Sequence, residues 1–270
     1  MTRNTLRAES GVRYLSEEQR ADPLFTNSIA RAMQVLAAFH HADRPLSLAE
    51  IAQRAGIDRS AAQRIGHTLR SLGYIRRDDD DRGYLPGIRI LDHTLDALRL
   101  NPLIQRATPV LLELRRNVRE RVDLSLFDGL RVVYAARMQS KRETFYATLV
   151  GHSVPTFCSS GGWAIMACLP ENEARDIIET SDRRPFTPRT LTDPAEIMEQ
   201  VAQTRARGYS IAEEQILLGE IAIGVAVIGA QGRPIAAIHV AGSLSEWTPE
   251  DFSTRVAPLA LAAAHAMSRP

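Results

Sequence analysis

A cluster of side chains that can contact nucleic acid lies between residues 58 and 77. Five arginines fall in this interval, at positions 59, 64, 70, 76 and 77, against a single acid, Asp58. Arginine pairs bidentately with the O6 and N7 atoms of guanine, and glutamine pairs with the N6 and N7 atoms of adenine. A local excess of positive charge is also what contact with phosphate oxygens requires. The cluster therefore predicts a surface that binds duplex DNA.

The candidate DNA contacts follow the spacing of a helix. Arg59, Gln63 and Arg64 lie in its first turns, at positions that the core does not use, and are candidates for reading bases. A phosphate contact or a solvated face is the alternative for each arginine. Ser60 and Thr68 are candidates for phosphate oxygens, which position a protein without specifying sequence. Arg70 and Arg77 are two further candidates for phosphate contact. The predicted DNA-contacting residues are Arg59, Ser60, Gln63, Arg64, Thr68, Arg70 and Arg77.

A second segment, at 155–163, has the composition of an anion site. Ser159 and Ser160 come directly before a predicted helix over 161–168. The free N–H groups at a helix start, together with two hydroxyls, can bind a carboxylate. Ordinary capping of the helix by Ser160 needs no ligand and is the alternative. The residues by themselves leave both interpretations open.

The sequence lacks the motifs of an enzyme. The run at 159–162 has no Gly-x-Ser-x-Gly elbow around a serine. There is no Gly-rich phosphate loop and no His-x-x-x-His pair. The two cysteines and seven histidines are too scattered for a metal cage. We therefore predict no catalytic residue, no metal and no cofactor. A small-molecule-binding enzyme and a constitutive DNA-binding protein are the disfavoured alternatives. A constitutive DNA-binding protein would leave the long C-terminal region without a function.

Length and composition predict a two-domain globular protein. The 270 residues suffice for two cores, and 44% hydrophobic and 24% charged residues are typical values. The longest apolar runs fall short of the ~20 residues that a membrane span needs, and no signal peptide is evident. Two cysteines provide no disulfide framework. These features predict a cytoplasmic protein with no membrane association. Residues 1–90 hold 14 arginines against 11 acids, and residues 91–270 hold 19 basic residues against 21 acids.

The N-terminal region begins with a charged, aperiodic segment, which predicts a mobile tail over 1–24. The pattern then becomes helical. Ile29, Met33, Leu36 and Ala37 recur at intervals of three and four residues, and we expect them to form one apolar side of a first helix.

A helix-turn-helix follows this first helix. Ser47 and Glu50 have the spacing of a capping box, and Gly56 suits the left-handed end of a helix. Asp58 can cap the next helix, which ends at Gly73. Two helices joined by such a short turn are typical of DNA-binding proteins, in which the second helix enters the major groove.

A hairpin and a linker helix are predicted next. Two short β-prone runs on either side of 78–82 predict a wing. Its four consecutive aspartates disfavour a DNA contact, and we interpret the turn as solvated and directed away from the duplex or past the phosphates. Ile88, Leu91, Leu95 and Leu98 then form a short heptad stripe. Because symmetric half-sites require two recognition helices, the stripe predicts a homodimer that pairs through this linker.

The C-terminal region alternates strands and helices. Antiparallel hairpins are predicted around Asp128-Gly129 and Gln231-Gly232, and one further strand at 144–150. This order predicts an α+β fold with an antiparallel sheet. The predicted organisation is a mobile tail (1–24), a winged helix-turn-helix DNA-binding domain (25–87), a linker helix (88–106) and a C-terminal domain (107–270).

With these motifs in place, the sequence resembles the IclR family of bacterial transcriptional regulators. The resemblance rests on SLAEIAQRAGIDRSAAQRIGHTLRSLGY at 47–74, on RGYSIAEE at 207–214 and on 224–242, and it extends over about 26–268. It implies a GAF-like α/β effector-binding domain and a dimer or a dimer of dimers. It also implies double-stranded operator DNA as a partner and a catabolic operon as the target. The effectors of the family are often small organic or aromatic acids.

The resemblance also implies where the effector binds. Family ligands bind near positions corresponding to Gly162, Ala222 and His239, and this chain departs from the family there. Ala222 stands where a small polar or thiol residue is frequent, and His239 stands where serine is frequent. The departures leave the ligand's identity open. The predicted effector-binding residues are Tyr134, Met138, Phe145, Thr156, Ser159, Ser160, Gly161, Gly162, Glu214, Glu220, Ala222 and His239.

Two questions about this predicted pocket stay open: the role of His239 and the chemical class of the effector. His239 is either a core histidine held by one hydrogen bond or a proton donor to an acid ligand. Glu214 and Glu220 disfavour a bare acid, which keeps an amide or a phenol as the second choice. An aromatic or short-chain carboxylic acid is the effector class that we predict.

Overall fold

The computed structural model of the protein describes residues 22–40, 42–139 and 150–268. The described chain forms two compact units that divide between Leu100 and Asn101. Most of the predicted tail lies outside the described residues. None of the described helices combines the length and the apolar composition that crossing a bilayer requires.

The N-terminal unit is a winged helix-turn-helix. Three helices are followed by a two-stranded antiparallel hairpin, whose Tyr84 also forms an isolated β-bridge with Leu46. A fourth helix follows the hairpin. The elements are α1 (Asn27–Ala37), α2 (Leu48–Ala55), α3 (Arg59–Ser71), β1 (Ile75–Arg77), β2 (Tyr84–Pro86) and α4 (Arg89–Arg99).

The ends of α2 and α3 confirm the capping predictions. The Ser47 hydroxyl accepts a hydrogen bond from the Glu50 N–H, and the Glu50 carboxylate accepts one from the Ser47 N–H at 2.9 Å. Gly56 ends α2 with a φ of 65°, which costs little because glycine has no Cβ. Asp58 then accepts a hydrogen bond from the N–H of Ala61 at 2.8 Å. Local chemistry thus determines the turn that presents α3.

The predicted apolar side of α1 is only partly the side that meets the core, which Leu36 contacts. Val35 and Ala38 are the buried residues here, whereas Ile29 and Met33 are 61% and 54% exposed. Ile29 and Met33 instead line an open groove between α1, α3 and α4. The helix is apolar on more than one side, so its periodicity did not identify the side that meets the core.

An apolar stripe runs along the exposed side of α4. Ile88, Leu91 and Leu95 are exposed, and Leu98 is half-buried. Nothing within the described part of the N-terminal unit covers the three exposed residues. Their spacing is that of the predicted heptad stripe.

The predicted linker helix over 88–106 is divided in two. Arg99 is the last residue of α4, and the next helix begins at Pro102. The Asn101 side chain caps that helix by accepting hydrogen bonds from its first N–H groups. Proline at a first helical position fits because its missing N–H has no partner there in any case.

The C-terminal unit is built on one six-stranded antiparallel sheet of order β5-β4-β3-β8-β7-β6. Most of the further strand predicted at 144–150 lies outside the described residues. The strands are β3 (Arg121–Asp128), β4 (Arg131–Met138), β5 (Ser153–Pro155), β6 (Ser210–Glu213), β7 (Glu220–Ile228) and β8 (Pro234–Ser243). The helices are α5 (Pro102–Val118), α6 (Ser160–Ala167), α7 (Glu171–Thr180), α8 (Pro194–Arg207) and α9 (Pro249–Met267), and a 3₁₀ turn spans Thr156–Cys158.

The two faces of this sheet carry different chemistry. Side chains alternate along each strand, so Val122 and Leu124 of β3 point into the core formed with α5 and α9. Asp123 and Ser125 point to the other face, which α6 covers, and both are fully buried. Polar groups buried in this way must find partners within the protein. Those partners build the cavity described next.

Candidate functional site

The exposed side of α3 presents the predicted DNA-contacting residues. Ala61, Ala62 and Leu69 are buried in the core of the N-terminal unit, which turns the opposite side of the helix to solvent. A helix with a polar exposed side, held by a capped turn, has the geometry needed to enter the major groove. The side chains on that side are Arg59, Ser60, Gln63, Arg64, Thr68 and Arg70.

The wing, residues 75–86, pairs most of the charge of its own acidic tip. The Arg77 guanidinium lies over the ring of Tyr84, with its Cζ atom 4.3 Å from the ring centroid. Each of three wing arginines is paired with one aspartate of the turn, so three of the four acidic charges have a nearby cation. The pairs are Arg76–Asp79 at 3.1 Å, Arg77–Asp81 at 3.2 Å, and Arg82–Asp80.

A small cavity lies in the C-terminal unit between the sheet and the start of α6. Its volume of about 20 Å³ is room for roughly one water molecule. Most of its polar lining comes from β3, β4, β7, β8 and the turn before α6. The lining residues are Arg121, Tyr134, Cys158, Ser159, Ser160, Ala212, Gln215, Ile216, Glu220, Ala222 and His239.

His239 lies in the middle of a row of residues that crosses five strands. Cross-strand pairing places Asp123 beside His239 on one side and Gly224 beside it on the other. Arg137 and Ser210 extend the row at its two ends. The antiparallel register therefore brings together residues that are far apart in the sequence.

His239 is neutral and held by two hydrogen bonds. Its Nε2 atom lies 2.7 Å from the Ser125 hydroxyl, and its Nδ1 atom lies 3.0 Å from the Ser160 hydroxyl. Burial lowers the pKa of His239 to about 4. One ring nitrogen donates and the other accepts, as a neutral imidazole allows. Of the two predicted roles, the core histidine is the one that fits, with two hydrogen bonds in place of one.

Ser159, and not Ser160, caps α6. The Ser159 hydroxyl accepts a hydrogen bond from the N–H of Gly162 at 3.1 Å, while the Ser160 hydroxyl is engaged by His239. The glycines that follow are required by close packing. A Cβ on Gly162 would lie 1.9 Å from the carbonyl oxygen of Thr156. The alternative that Ser160 caps the helix is therefore wrong in its residue, although a serine does cap the helix.

A buried network of charges forms one end of the cavity. The Arg121 Nη2 atom donates to the Glu220 carboxylate at 2.8 Å, and its Nε atom donates to Asp123 at 3.0 Å. Arg137 donates to both oxygens of Asp123, at 2.6 and 2.9 Å. Burial opposes the charge of Arg121, but the carboxylates of Glu220 and Asp123 outweigh it and raise the pKa of Arg121 above its ordinary value.

Tyr134 forms an aromatic wall of the cavity. Its ring lies between His152, with centroids 6.2 Å apart, and His239, with centroids 5.3 Å apart. Burial, followed by the negative charge of Asp123, raises the pKa of Tyr134, so the phenol stays neutral. The wall is therefore uncharged.

Some predicted effector-binding residues do not reach the cavity. Met138 points to the opposite face of the sheet and packs with the α5–α9 core. The Thr156 hydroxyl donates to a backbone carbonyl of the β3–β4 turn at 2.8 Å, and the Glu214 carboxylate accepts from the N–H of Gly219 at 2.8 Å. These three residues serve the fold in this structure. Phe145 lies outside the described residues.

Sequence reasoning missed the charged end of the cavity. Arg121, Asp123 and Ser125 alternate with Val122 and Leu124, which is the usual pattern of a strand with one face in solvent. The opposite charges of Arg121 and Asp123, two residues apart on one strand, were the available signal. Only the covering helix α6 shows that the row is buried.

Comparison with known proteins identifies the family. The family model described as bacterial transcriptional regulator IclR C-terminal matches residues 95–269, and the IclR helix-turn-helix model matches residues 28–79. The Pca regulon regulatory protein of Pseudomonas putida is 30% identical over 243 residues, which cover 90% of this chain and 83% of that protein. The p-hydroxybenzoate hydroxylase transcriptional activator of Acinetobacter baylyi is 28% identical over 249 residues, which cover 90% and 91%.

A solved structure supports the fold. The crystal structure of an IclR homologue from Microbacterium hydrocarbonoxydans, complexed with 4-hydroxybenzoate, matches with a TM-score of 0.70 at 24% identity. The match covers 89% of this chain and 97% of that one. A helix-turn-helix unit joined to a small-molecule-binding unit defines a DNA-binding transcriptional regulator, and the relatives are regulators and not enzymes. The chain belongs to the IclR family.

Proposed function

We propose that this protein controls a catabolic operon in the bacterial cytoplasm as a homodimer, or a dimer of dimers, whose operator binding responds to a small organic acid. The observation that carries the effector class is the Arg121 guanidinium at one end of the cavity, where Glu220 is its ion-pair partner in the lining. Ala212, Ile216 and Ala222 provide apolar walls. A guanidinium beside apolar walls suits a carboxylate with a hydrophobic body.

The two glutamates do not oppose such a ligand. Glu220 is paired with Arg121, and Glu214 accepts a backbone hydrogen bond within its own loop. Neither presents an uncompensated charge to the cavity, so neither excludes an acid as the effector. The names of two relatives, which refer to the Pca regulon and to p-hydroxybenzoate hydroxylase, support aromatic acids as the first probes.

The exposed side of α3 and the wing form the proposed DNA contacts. Arg64, on the second turn of α3, is assigned to a base edge, with Gln63 and Arg59 as its neighbours. Ser60, Thr68, Arg70 and Arg77 are assigned to phosphate oxygens.

A salt series of DNA titrations tests the DNA contacts. The probe is a genomic fragment selected in vitro for binding to the wild-type protein. We expect Arg64→Ala to weaken specific binding by about 1–3 kcal/mol and to relax one operator position. Arg77→Ala is the matched control, because the loss of a phosphate contact weakens all sequences alike and flattens the salt dependence. Unchanged specificity in Arg64→Ala would contradict the assignment of α3.

Linkage between the two ligands tests the regulatory part. We expect 4-hydroxybenzoate, or another small acid found by thermal shift, to change operator affinity by a factor worth about 1–3 kcal/mol. Reciprocity requires operator DNA to change the affinity for the acid by the same factor. Calorimetry with and without operator measures that factor. Equal affinities in the two titrations would remove the switch.

A further inference from the structure

The charged groups around the cavity balance one another in the empty protein. Arg121 and Arg137 face Asp123 and Glu220, and the neighbouring imidazole of His239 is neutral. A carboxylate that enters this space adds a negative charge with no partner. Such a charge is costly in a buried site unless another carboxylate leaves or a proton arrives.

The carboxylates of Asp123 and Glu220 differ in burial and in the number of hydrogen bonds that they receive. The Asp123 side chain is fully buried and receives hydrogen bonds from both Arg121 and Arg137. The Glu220 side chain is 18% exposed and receives its hydrogen bond from Arg121 alone among the described residues. Glu220 is therefore the carboxylate that can leave the cavity at lower cost.

The backbone around Glu220 lets the side chain move by itself. The Glu220 N–H donates to the carbonyl of Leu217 at 3.2 Å, and its own carbonyl accepts from the N–H of Glu214 at 2.8 Å. The adjacent lining residue Gln215 is fixed, since its amide makes three hydrogen bonds to backbone groups. A cavity of about 20 Å³ cannot hold an organic acid until a lining side chain moves, and Glu220 is the carboxylate of the lining that has access to solvent.

We propose that a carboxylate effector binds by ion-pair exchange, in which its carboxylate takes the place of Glu220 on the Arg121 guanidinium and the Glu220 side chain turns into solvent. The exchange keeps the buried charge balanced and opens the space that the ligand body needs. It rests on the proposed function, because it assumes that the effector occupies this cavity. A neutral amide of the same acid has no charge to exchange and binds differently.

Two variants separate the exchange from simple binding. Glu220→Gln keeps the shape of the side chain and removes the ionised competitor, so affinity for acids rises on the order of tenfold. Arg121→Lys keeps a positive charge beside Asp123 but loses the planar fork, so affinity for acids falls on the order of tenfold. Affinity for the matched amides stays the same in both variants. Tryptophan fluorescence during urea unfolding verifies that each variant is folded.

The probes are 4-hydroxybenzoate, benzoate and succinate, each beside its amide, titrated calorimetrically into the full chain at about neutral pH. Two buffers of different ionisation enthalpy report proton uptake. The ionisable groups that line the cavity with Glu220 are those of Arg121, Tyr134, Cys158 and His239. Asp123 pairs with Arg121, and Arg137 pairs with Asp123. Exchange predicts no proton uptake, because Glu220 leaves the cavity ionised.

The outcomes distinguish the exchange from the proposed function. Opposite shifts in acid affinity for the two variants, with no proton uptake, support the exchange. Acids that bind all three proteins equally, or that take up one proton per ligand, overturn the exchange and leave the acid effector in place. If no acid binds either the wild type or Glu220→Gln, the acid-effector function fails and the exchange fails with it.

Discussion

Gly161 lies so close to the imidazole of His239 that a Cβ on the glycine would be 2.3 Å from the Cε1 atom of the ring. The absence of a side chain at position 161 is what allows the ring to reach both Ser125 and Ser160. Gly161 therefore has a steric role in the cavity. Gly161 was predicted to offer its N–H group to a ligand. In the structure, the imidazole of His239 explains why this position is a glycine.

This contact leads to the first prediction. We expect Gly161→Ala to displace His239, break its hydrogen bonds to the serines and destabilise the C-terminal unit by about 1–3 kcal/mol. Urea unfolding followed by tryptophan fluorescence measures the change, because Trp163 and Trp247 both belong to that unit. Affinity for the acid probes should fall as well. An alanine variant with wild-type stability would show that the ring has room to move.

The buried imidazole makes the stability of the C-terminal unit depend on pH. Its folded pKa of about 4 lies below the ordinary value of 6.5, so between these values the unfolded chain binds a proton that the folded chain does not. The contribution of His239 is fully present above the ordinary pKa. We expect it to decrease by about 2 kcal/mol between about pH 7.5 and pH 5. His239→Gln should lack this decrease, and an equal decrease in both proteins would assign it to other groups.

The paired wing leads to a prediction about DNA affinity. Replacing Asp79 and Asp81 with asparagine releases Arg76 and Arg77, so all DNA sequences should bind more tightly. The salt dependence should steepen by a slope of up to about 1, because Arg76 adds a phosphate contact to the one already assigned to Arg77. The matched control replaces Asp92 and Asp96 of α4, which also pair with exposed arginines. An equal gain in the control would point to net charge and not to the wing.

Gly66 in the middle of α3 offers a stabilising substitution. A Cβ there would lie 3.7 Å from Leu48 and 3.9 Å from Ile75, which is ordinary contact. We expect Gly66→Ala to stabilise the N-terminal unit by about 0.5–1 kcal/mol, because alanine has the higher helix propensity. Gly56→Ala should destabilise it, since its φ of 65° is unfavourable for alanine. Calorimetric melting of the two variants should show shifts of opposite sign, with operator specificity unchanged in Gly66→Ala.

The exposed stripe on α4 leads to a prediction about assembly. Replacing Leu91 and Leu95 with aspartate should convert the proposed dimer to monomer in light scattering and weaken operator binding, since charge disfavours an apolar interface. The control replaces Leu112 and Leu130, two exposed leucines of the C-terminal unit. The same measurement distinguishes a dimer from a dimer of dimers. A double variant of α4 that stays dimeric would place the interface elsewhere.

The helix-turn-helix could be predicted closely because its signals are local. Ser47, Glu50, Gly56 and Asp58 act through hydrogen bonds and dihedral angles within a few residues, so their types determine the result. The core side of α1 could not be predicted in the same way. A stripe with Ile29 and Met33 competes with one through Val35, and only tertiary packing selects between them.

The candidate cavity could be predicted in part. The turn at 159–162 and the strand of His239 were located by composition and resemblance, but the strand register was not. Met138 and Arg137 are neighbours, and a shift of one residue exchanges the face that each occupies. Arg121 remained unassigned because its pairing with Glu220 joins residues whose proximity depends on the whole sheet.

The order of the strands has a consequence for the synthesis of the chain. β3 pairs with β8, as Arg121 opposite Ala241 shows, so the centre of the sheet is incomplete until the last strand has left the ribosome. The described N-terminal unit closes with α4, much earlier in translation. A nascent chain at that stage has its recognition helix but still lacks His239. A chain that stops before β8 therefore retains the residues of the DNA-binding unit without those of a complete cavity, and would be a regulator that no effector controls.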